Sequence, residues 1–186
     1  MRRRTALFLV LLLTAWQAVA GANSPVKGES QVGKPSPDFR VTDVEGREYT
    51  LEGLLAEGKV VVVNFWGIRC SACIEEMPSL NMLCRKYRDR IVVLGVNADG
   101  VDGATLKELM KDSGISAEFE IIPDPEFRMI EVFNLIAAPL TIVVDTKGIV
   151  RFRHEDYKPG DEKALEQAIL DALPEPPTKG RSAGIR

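Results

Sequence analysis

The stretch Lys59-Val60-Val61-Val62-Val63-Asn64-Phe65-Trp66-Gly67-Ile68-Arg69-Cys70-Ser71-Ala72-Cys73 decides the reading of this chain. Its first half is β-branched and aromatic without polar alternation, as in a strand covered on both faces. From Cys70 or Ser71 to Arg88 the positions Cys73, Met77, Leu80, Cys84 and Tyr87 recur at steps of four, three, four and three, so they share one face of a helix. Glu75, Glu76, Arg85, Lys86 and Arg88 fill much of the remainder. A buried strand that breaks at Gly67 and re-enters as a helix leaves its loop at the carboxyl end of a sheet, where α/β folds bind partners. It also sets Cys70 at the helix tip and Cys73 one turn inside.

Strands and helices alternate on both sides of this unit. Pro37-Asp38-Phe39 opens a segment with the turn signal Asp43-Val44-Glu45-Gly46, which predicts a β-hairpin from Phe39 to Leu51, with a helical turn at Leu51 to Leu55. Ile91 to Asn97 reads as a second buried strand and Gly103 to Asp112 as an amphipathic helix. Phe119 to Ile122 reads as a short strand and Pro125 to Phe133 as a helix. Leu140 to Asp145 is a strand turning at Thr146-Lys147-Gly148, Ile149 to His154 its hairpin partner, and Asp161 to Leu173 the closing helix. No internal repeat is present. The pattern predicts an α/β sandwich around a mixed sheet.

Cys70-Ser71-Ala72-Cys73 has a spacing with a mechanism. Cys70 can exchange with an outside sulfur, and Cys73 is near enough to resolve the mixed disulfide by closing the small ring. The same spacing serves as half of a zinc site, and Cys70, Cys73, Cys84 and His154 make a Cys₃His set. Geometry opposes that: Cys84 lies eleven residues beyond Cys73, roughly 16 Å along a helix, too far for one metal or one disulfide. No metal and no cofactor is therefore expected. Cys84 reads as a small buried apolar residue, with pairing between chains as the exception if it is exposed. A helix N-terminus favours an anion by ~0.3–1 kcal/mol, up to ~2 when partly buried, so the dipole alone does not carry a large activation of Cys70. First-turn N–H groups and the Cys73 thiol are further donors, and Arg69 either adds positive charge or is simply solvated. Glu76, one turn past Cys73, either manages the inner thiol's proton or forms a solvated first-turn pair with Glu75.

The ends and the charge bound the function. Met1-Arg2-Arg3-Arg4, the apolar run Ala6 to Trp16 and Ala18-Val19-Ala20 follow the order of a secretory signal, with cleavage expected after Ala20 and a periplasmic destination. An uncleaved membrane anchor is the alternative, against which the apolar run is shorter than the ~20 residues that span a bilayer. Without Arg2, Arg3 and Arg4 the 24 basic residues become 21 against 27 acidic ones, a net charge of −6, which argues against nucleic acid. The chain divides into a leader at 1–20, a flexible linker at 21–34, one domain at 35–173 and a disordered tail at 174–186. A domain of that size buries a core without disulfide staples, which leaves its cysteines free for chemistry.

The run Asn64-Phe65-Trp66-Gly67-Ile68-Arg69-Cys70-Ser71-Ala72-Cys73-Ile74-Glu75-Glu76-Met77-Pro78 resembles the active-site segment of exported thioredoxin-like reductases of the TlpA and ResA type. Pro37-Asp38-Phe39, Gly46 and Leu51 match their N-terminal hairpin. Ala138-Pro139, Thr141 to Asp145 and Gly148 match their later half. The resemblance implies a thioredoxin-like fold: a central mixed β-sheet flanked by helices, an N-terminal β-hairpin extension and a helix inserted before the cis-proline strand. It implies Cys70 as nucleophile, Cys73 as resolving thiol in a redox disulfide with it, and Glu76 as the active-site acid. Trp66, Arg69, Ala138 and Pro139 are then expected at the substrate, with Pro139 in cis and Ala138 offering backbone hydrogen bonds. An X-Pro bond is cis in only ~5% of cases, so that expectation comes from the resemblance alone. Four positions depart from the family pattern: Arg69 replaces Trp, Ser71-Ala72 replaces a pair ending in Pro, Leu140 replaces Thr, and Asn64 stands where thioredoxin has a buried Asp.

The function so implied is reduction of disulfides in exported proteins by a monomer, with a membrane thiol carrier as electron donor and apocytochrome c as one family substrate. A thiol peroxidase shares the Pro37-Asp38-Phe39 opening, but Gly67 stands where its pattern has Thr three residues before the reactive Cys. A copper-binding thioredoxin-like chaperone wants two thiolates and a His at C-x-x-x-C spacing. This chain has C-x-x-C, and His154 reads as an ordinary surface histidine.

Overall fold

A computed structural model describes residues 30–174. The expected leader at 1–20, most of the linker and nearly all of the tail lie outside the described residues.

Strands β1 (Arg40–Thr42) and β2 (Glu48–Thr50) form the expected antiparallel hairpin. Its turn is held by Asp43, whose carboxylate accepts the N–H groups of Glu45 and Arg47 at 2.9 and 2.8 Å. Thr50 caps helix α1 (Leu51–Ala56) by accepting from the Gly53 N–H. Then follow β3 (Val60–Trp66), α2 (Ser71–Tyr87), β4 (Ile91–Asn97), α3 (Gly103–Asp112), β5 (Glu120–Pro123), α4 (Arg128–Phe133), β6 (Leu140–Val144), β7 (Val150–Glu155) and α5 (Glu162–Ala172). The main sheet runs β5-β4-β3-β6-β7, with β3, β4 and β5 parallel and β6 antiparallel to both its neighbours. Among the described residues no helix is long and apolar enough to cross a membrane.

Side-chain alternation divides the core in two. Val61, Val63 and Phe65 of β3 join Leu140, Ile142 and Val144 of β6 under the hairpin, α1 and α4, where Phe133 meets Phe65 at 5.6 Å and Phe39 at 6.2 Å between ring centroids. Val60, Val62 and Trp66 join Val143 on the opposite face, packed against α2 through Cys73, Met77, Leu80 and Leu83 and against α5 through Leu165 and Ile169. β3 is buried at every position, which is why its sequence shows no alternation.

Three expectations are corrected. The helix expected from Pro125 begins only at Arg128, because Phe127 takes a left-handed conformation (φ 56°) and the Asp124 carboxylate accepts the Met129 and Ile130 N–H groups at 3.0 and 3.1 Å. Residues 30–34, expected to be linker, are tied to the body: the Gly33 N–H donates to Val150 O at 2.8 Å, and buried Ser30 accepts from Arg153 at 2.6 Å. The buried face of α2 is Cys73, Glu76, Met77, Leu80 and Leu83, whereas Cys84 and Tyr87 are half-buried. Leu83 lies three residues past Leu80, beside the Cys84 position on the same helix face, and Glu76 joins the buried face despite its charge.

Candidate active site

The site is assembled where β3 ends. Gly67 follows Trp66, and the Cys70 N–H donates back to Gly67 O at 3.2 Å, closing a turn that delivers Cys70 to the N-cap of α2. Asp99, in the loop after β4, anchors this turn by accepting the Ile68 N–H and the Asn97 side-chain amide, both at 2.8 Å. A Cβ at position 67 would stand 3.2 Å from the Asp99 carboxylate, so glycine suits the close approach. Gly95 is tighter still. A Cβ there would meet the Phe119 ring at 2.5 Å, and its carbonyl oxygen accepts the Trp66 indole N–H at 3.1 Å.

Cys70 and Cys73 are joined as a disulfide with Cα atoms 5.2 Å apart. Cys73 is 1% exposed, while Cys70 is half-buried and reachable from outside. Cys70 Sγ also accepts the Cys73 N–H at 3.2 Å, a donor that remains in place for a thiolate once the bond is reduced. Arg69 beside it is exposed and makes no ion pair among the described residues.

The other half of the site comes from β6. Leu140 lies opposite Phe65 in the antiparallel pairing, so Pro139, one residue earlier, falls level with Trp66 and the start of the dithiol loop. The Ala138–Pro139 bond is cis. Ala138 is half-buried at the margin of the same cluster as Cys70, Ile68 and Trp66. Trp66 itself is fully buried, which corrects its expected place at the substrate: it supports the turn from below.

Beneath the dithiol lies a polar group in an otherwise apolar layer. Asn64 and Thr141 are cross-strand partners. The Asn64 amide donates to Glu76 Oε2 at 2.9 Å and to Thr141 Oγ1 at 2.8 Å, and the Thr141 hydroxyl donates to Glu76 Oε1 at 2.7 Å. Glu76 is 3% exposed. Burial pushes its carboxyl up from the ordinary carboxylate range, opposed by the bonds from Thr141 and Asn64 and by the charge of His154. The solvated reading of Glu76 is therefore corrected. Thr141 was missed as a site residue, although its hydroxyl interrupting an apolar strand level with Asn64 is a legible signal. Asp99 left no sequence signal, because only the turn of the chain brings it to Ile68.

The Cys₃His set is not brought together. Cys84 Sγ donates to Glu118 O at 3.2 Å, burial pushes its thiol up, and His154 meets Asp161 at 3.1 Å. Cys84 is half-buried, short of the full burial expected.

With this geometry in view, the relatives are decisive. The family model AhpC/TSA matches residues 32–153. The chain belongs to the AhpC/TSA family. It is 31% identical to thiol-disulfide oxidoreductase ResA of Bacillus thuringiensis (strain Al Hakam), over 81% of this chain and 87% of that one. It is 32% identical to thiol-disulfide oxidoreductase ResA of Geobacillus kaustophilus, over 80% of this chain and 83% of that one. A solved structure from Chlorobium tepidum, assigned as thiol:disulfide interchange protein DsbE, superposes with a TM-score of 0.68 at 30% identity, covering 77% of this chain and 99% of that one. The fold is thioredoxin-like, as the resemblance implied. Family, fold and the oxidised pair make this protein a thiol-disulfide oxidoreductase.

Proposed function

We propose that this enzyme is exported and reduces disulfides of extracytoplasmic proteins, apocytochrome c among them, using electrons from a membrane thiol carrier. The observation that carries the reading is the asymmetry of the two sulfurs: Cys70 reachable at the tip of α2, Cys73 sealed one turn inside. In the reduced enzyme the Cys70 thiolate attacks a substrate disulfide, one substrate sulfur leaves with the electron pair and takes up a proton, and a mixed disulfide forms. Cys73 then loses its proton to Glu76 and attacks Cys70 Sγ. The Cys70–Cys73 bond forms, the second substrate sulfur leaves, and the enzyme is oxidised by the two electrons the substrate has gained. Ala138 offers backbone hydrogen bonds to the docked peptide beside Pro139, and the free Arg69 guanidinium favours the Cys70 thiolate. The Arg-rich leader and small-residue site at Ala18 to Ala20 support export.

Trapping tests this directly. In Cys73→Ala the mixed disulfide on Cys70 has no resolving thiol, so covalent adducts with envelope proteins accumulate and are released by reductant. An absence of adducts, or peroxide consumption by the wild type at a rate matching its disulfide exchange, overturns the reading.

A further inference from the structure

The polar layer does not end at Glu76. In the sheet register Asn64 faces Thr141 and Thr141 faces His154, so cross-strand neighbours carry polar side chains in one row from the central strand β3 to the edge strand β7. Glu76, Thr141, His154 and Asp161 border a cavity of ≈10 Å³, about the size that admits one water. Phe152 and Leu165 give it apolar walls, and Phe152 stacks on His154 with ring centroids 5.8 Å apart. At the outer end His154 Nε2 meets Asp161 Oδ2 at 3.1 Å, with side chains 39% and 35% exposed. Asp161 is fixed there by the Lys158 N–H at 2.8 Å, which with His154 holds its carboxyl below the ordinary range. Tyr157 and Glu162 complete the charged surroundings. The Tyr157 hydroxyl lies 3.2 Å from Ser79 Oγ on α2 and donates to Glu162 Oε2 at 3.2 Å.

We propose that His154 and Asp161 are positioning residues that govern, across this cavity and from the solvent side, when Glu76 holds its proton. The inference rests on the reading of Glu76 as the acid that serves Cys73. It gives that acid a control separate from the dithiol mouth, which a docked protein substrate covers during the mixed-disulfide stage. The electrostatics agree in sign: beyond the dominant effect of burial and the two hydrogen bonds, positive charge on His154 eases Glu76 toward ionisation and negative charge on Asp161 opposes it. A purely structural ion pair tying β7 to α5 predicts something else, namely two variants of slightly lower stability and no movement of Glu76.

The test is an infrared titration of the oxidised full-length chain, with the Glu76 carboxyl band identified by its loss in Glu76→Gln. His154→Gln moves the midpoint of that band upward, Asp161→Asn moves it downward, and Asp161→Glu leaves it near the wild-type position. A midpoint that stays put in both His154→Gln and Asp161→Asn, or moves the same way in both, overturns the inference. Single-turnover reduction of insulin across pH by the reduced variants separates the two proposals. If the infrared midpoints move in opposite senses while Glu76→Gln reduces insulin at the wild-type rate, the control of Glu76 stands and its service to Cys73 falls.

Discussion

The two faces of the central sheet are built to different rules. Under the hairpin, α1 and α4, strands β3 and β6 present Val61, Val63, Phe65, Leu140, Ile142 and Val144 without a polar side chain. Under α2 and α5 the same two strands present Val60, Val62, Trp66 and Val143, interrupted by Asn64 and Thr141, which bond Glu76 one turn past Cys73. Buried polar groups are costly unless paired, and here the Asn64 amide nitrogen, the Thr141 hydroxyl and both Glu76 oxygens are bonded to one another, with no buried side-chain polar atom among the described residues left without a partner. The first face resembles an inert support that fixes the strand ends. The second gives up apolar area at the level of Glu76, the residue proposed to take the Cys73 proton.

The sharpest way to break this contrast is to injure the inert face. Phe133 is fully buried against Phe39 and Phe65, so Phe133→Ala lowers unfolding free energy by about 3–5 kcal/mol through lost burial and the cavity left behind. Activity per folded molecule stays near the wild-type value, because Cys70 and Cys73 pack in the cluster on the opposite face of the sheet. Urea unfolding paired with an insulin-reduction assay reads both numbers. A tenfold loss of activity in the folded fraction means that the two faces are coupled.

Much of this plan was legible because it is written in local patterns. The uninterrupted run from Val60 to Trp66 announced the central strand, and Cys70 with Cys73 announced the chemistry at the helix tip. Glu76 was legible only as one of two readings one turn past Cys73, with family likeness favouring the acid, since a glutamate beside Glu75 in a first turn looks solvated until Asn64 and Thr141 are seen to meet it. Thr141 and Asp99 depend on pairings across 65 and 31 residues, which no local period encodes. The start of α4 was misplaced for a similar reason: its cap is supplied by Asp124, five residues before the N–H group of Met129 that it serves.

Glu76→Gln probes the second face with a smaller but more specific effect. If the carboxylate takes the Cys73 proton, resolution of the mixed disulfide slows by about 10²-fold, the low end of what a positioned acid–base group contributes. Stability moves the other way. Because burial raises the folded-state value of Glu76, the folded protein holds this proton at a pH where the unfolded chain has released it. The wild type therefore loses stability as pH rises from the ordinary glutamate value of about 4.3 through the raised folded value, and levels off above it. Glu76→Gln lacks that slope and is the more stable protein at the alkaline end. Thermal melts of the two oxidised proteins across pH show converging curves at low pH and separation at high pH. Parallel curves would mean that Glu76 is as exposed to water as Glu75.

Asp99 sharpens the comparison from the rim, where the two faces meet the solvent. Its carboxylate holds the Ile68 N–H two residues before Cys70, so it contributes both a hydrogen bond to the turn and a negative charge near the reactive sulfur. Asp99→Asn keeps an oxygen acceptor and removes the charge. A nearby anion disfavours the Cys70 thiolate, so its removal stabilises the reduced enzyme and makes the pair a slightly better oxidant, by less than about 30 mV. Asp99→Ala removes the acceptor as well and costs about 1–3 kcal/mol of stability, the usual net worth of the two hydrogen bonds it accepts from Ile68 and Asn97. Equilibration of each variant with glutathione redox buffers gives the potentials. A more reducing couple in Asp99→Asn would show that the turn's geometry, and not the charge that holds it, sets the poise of Cys70.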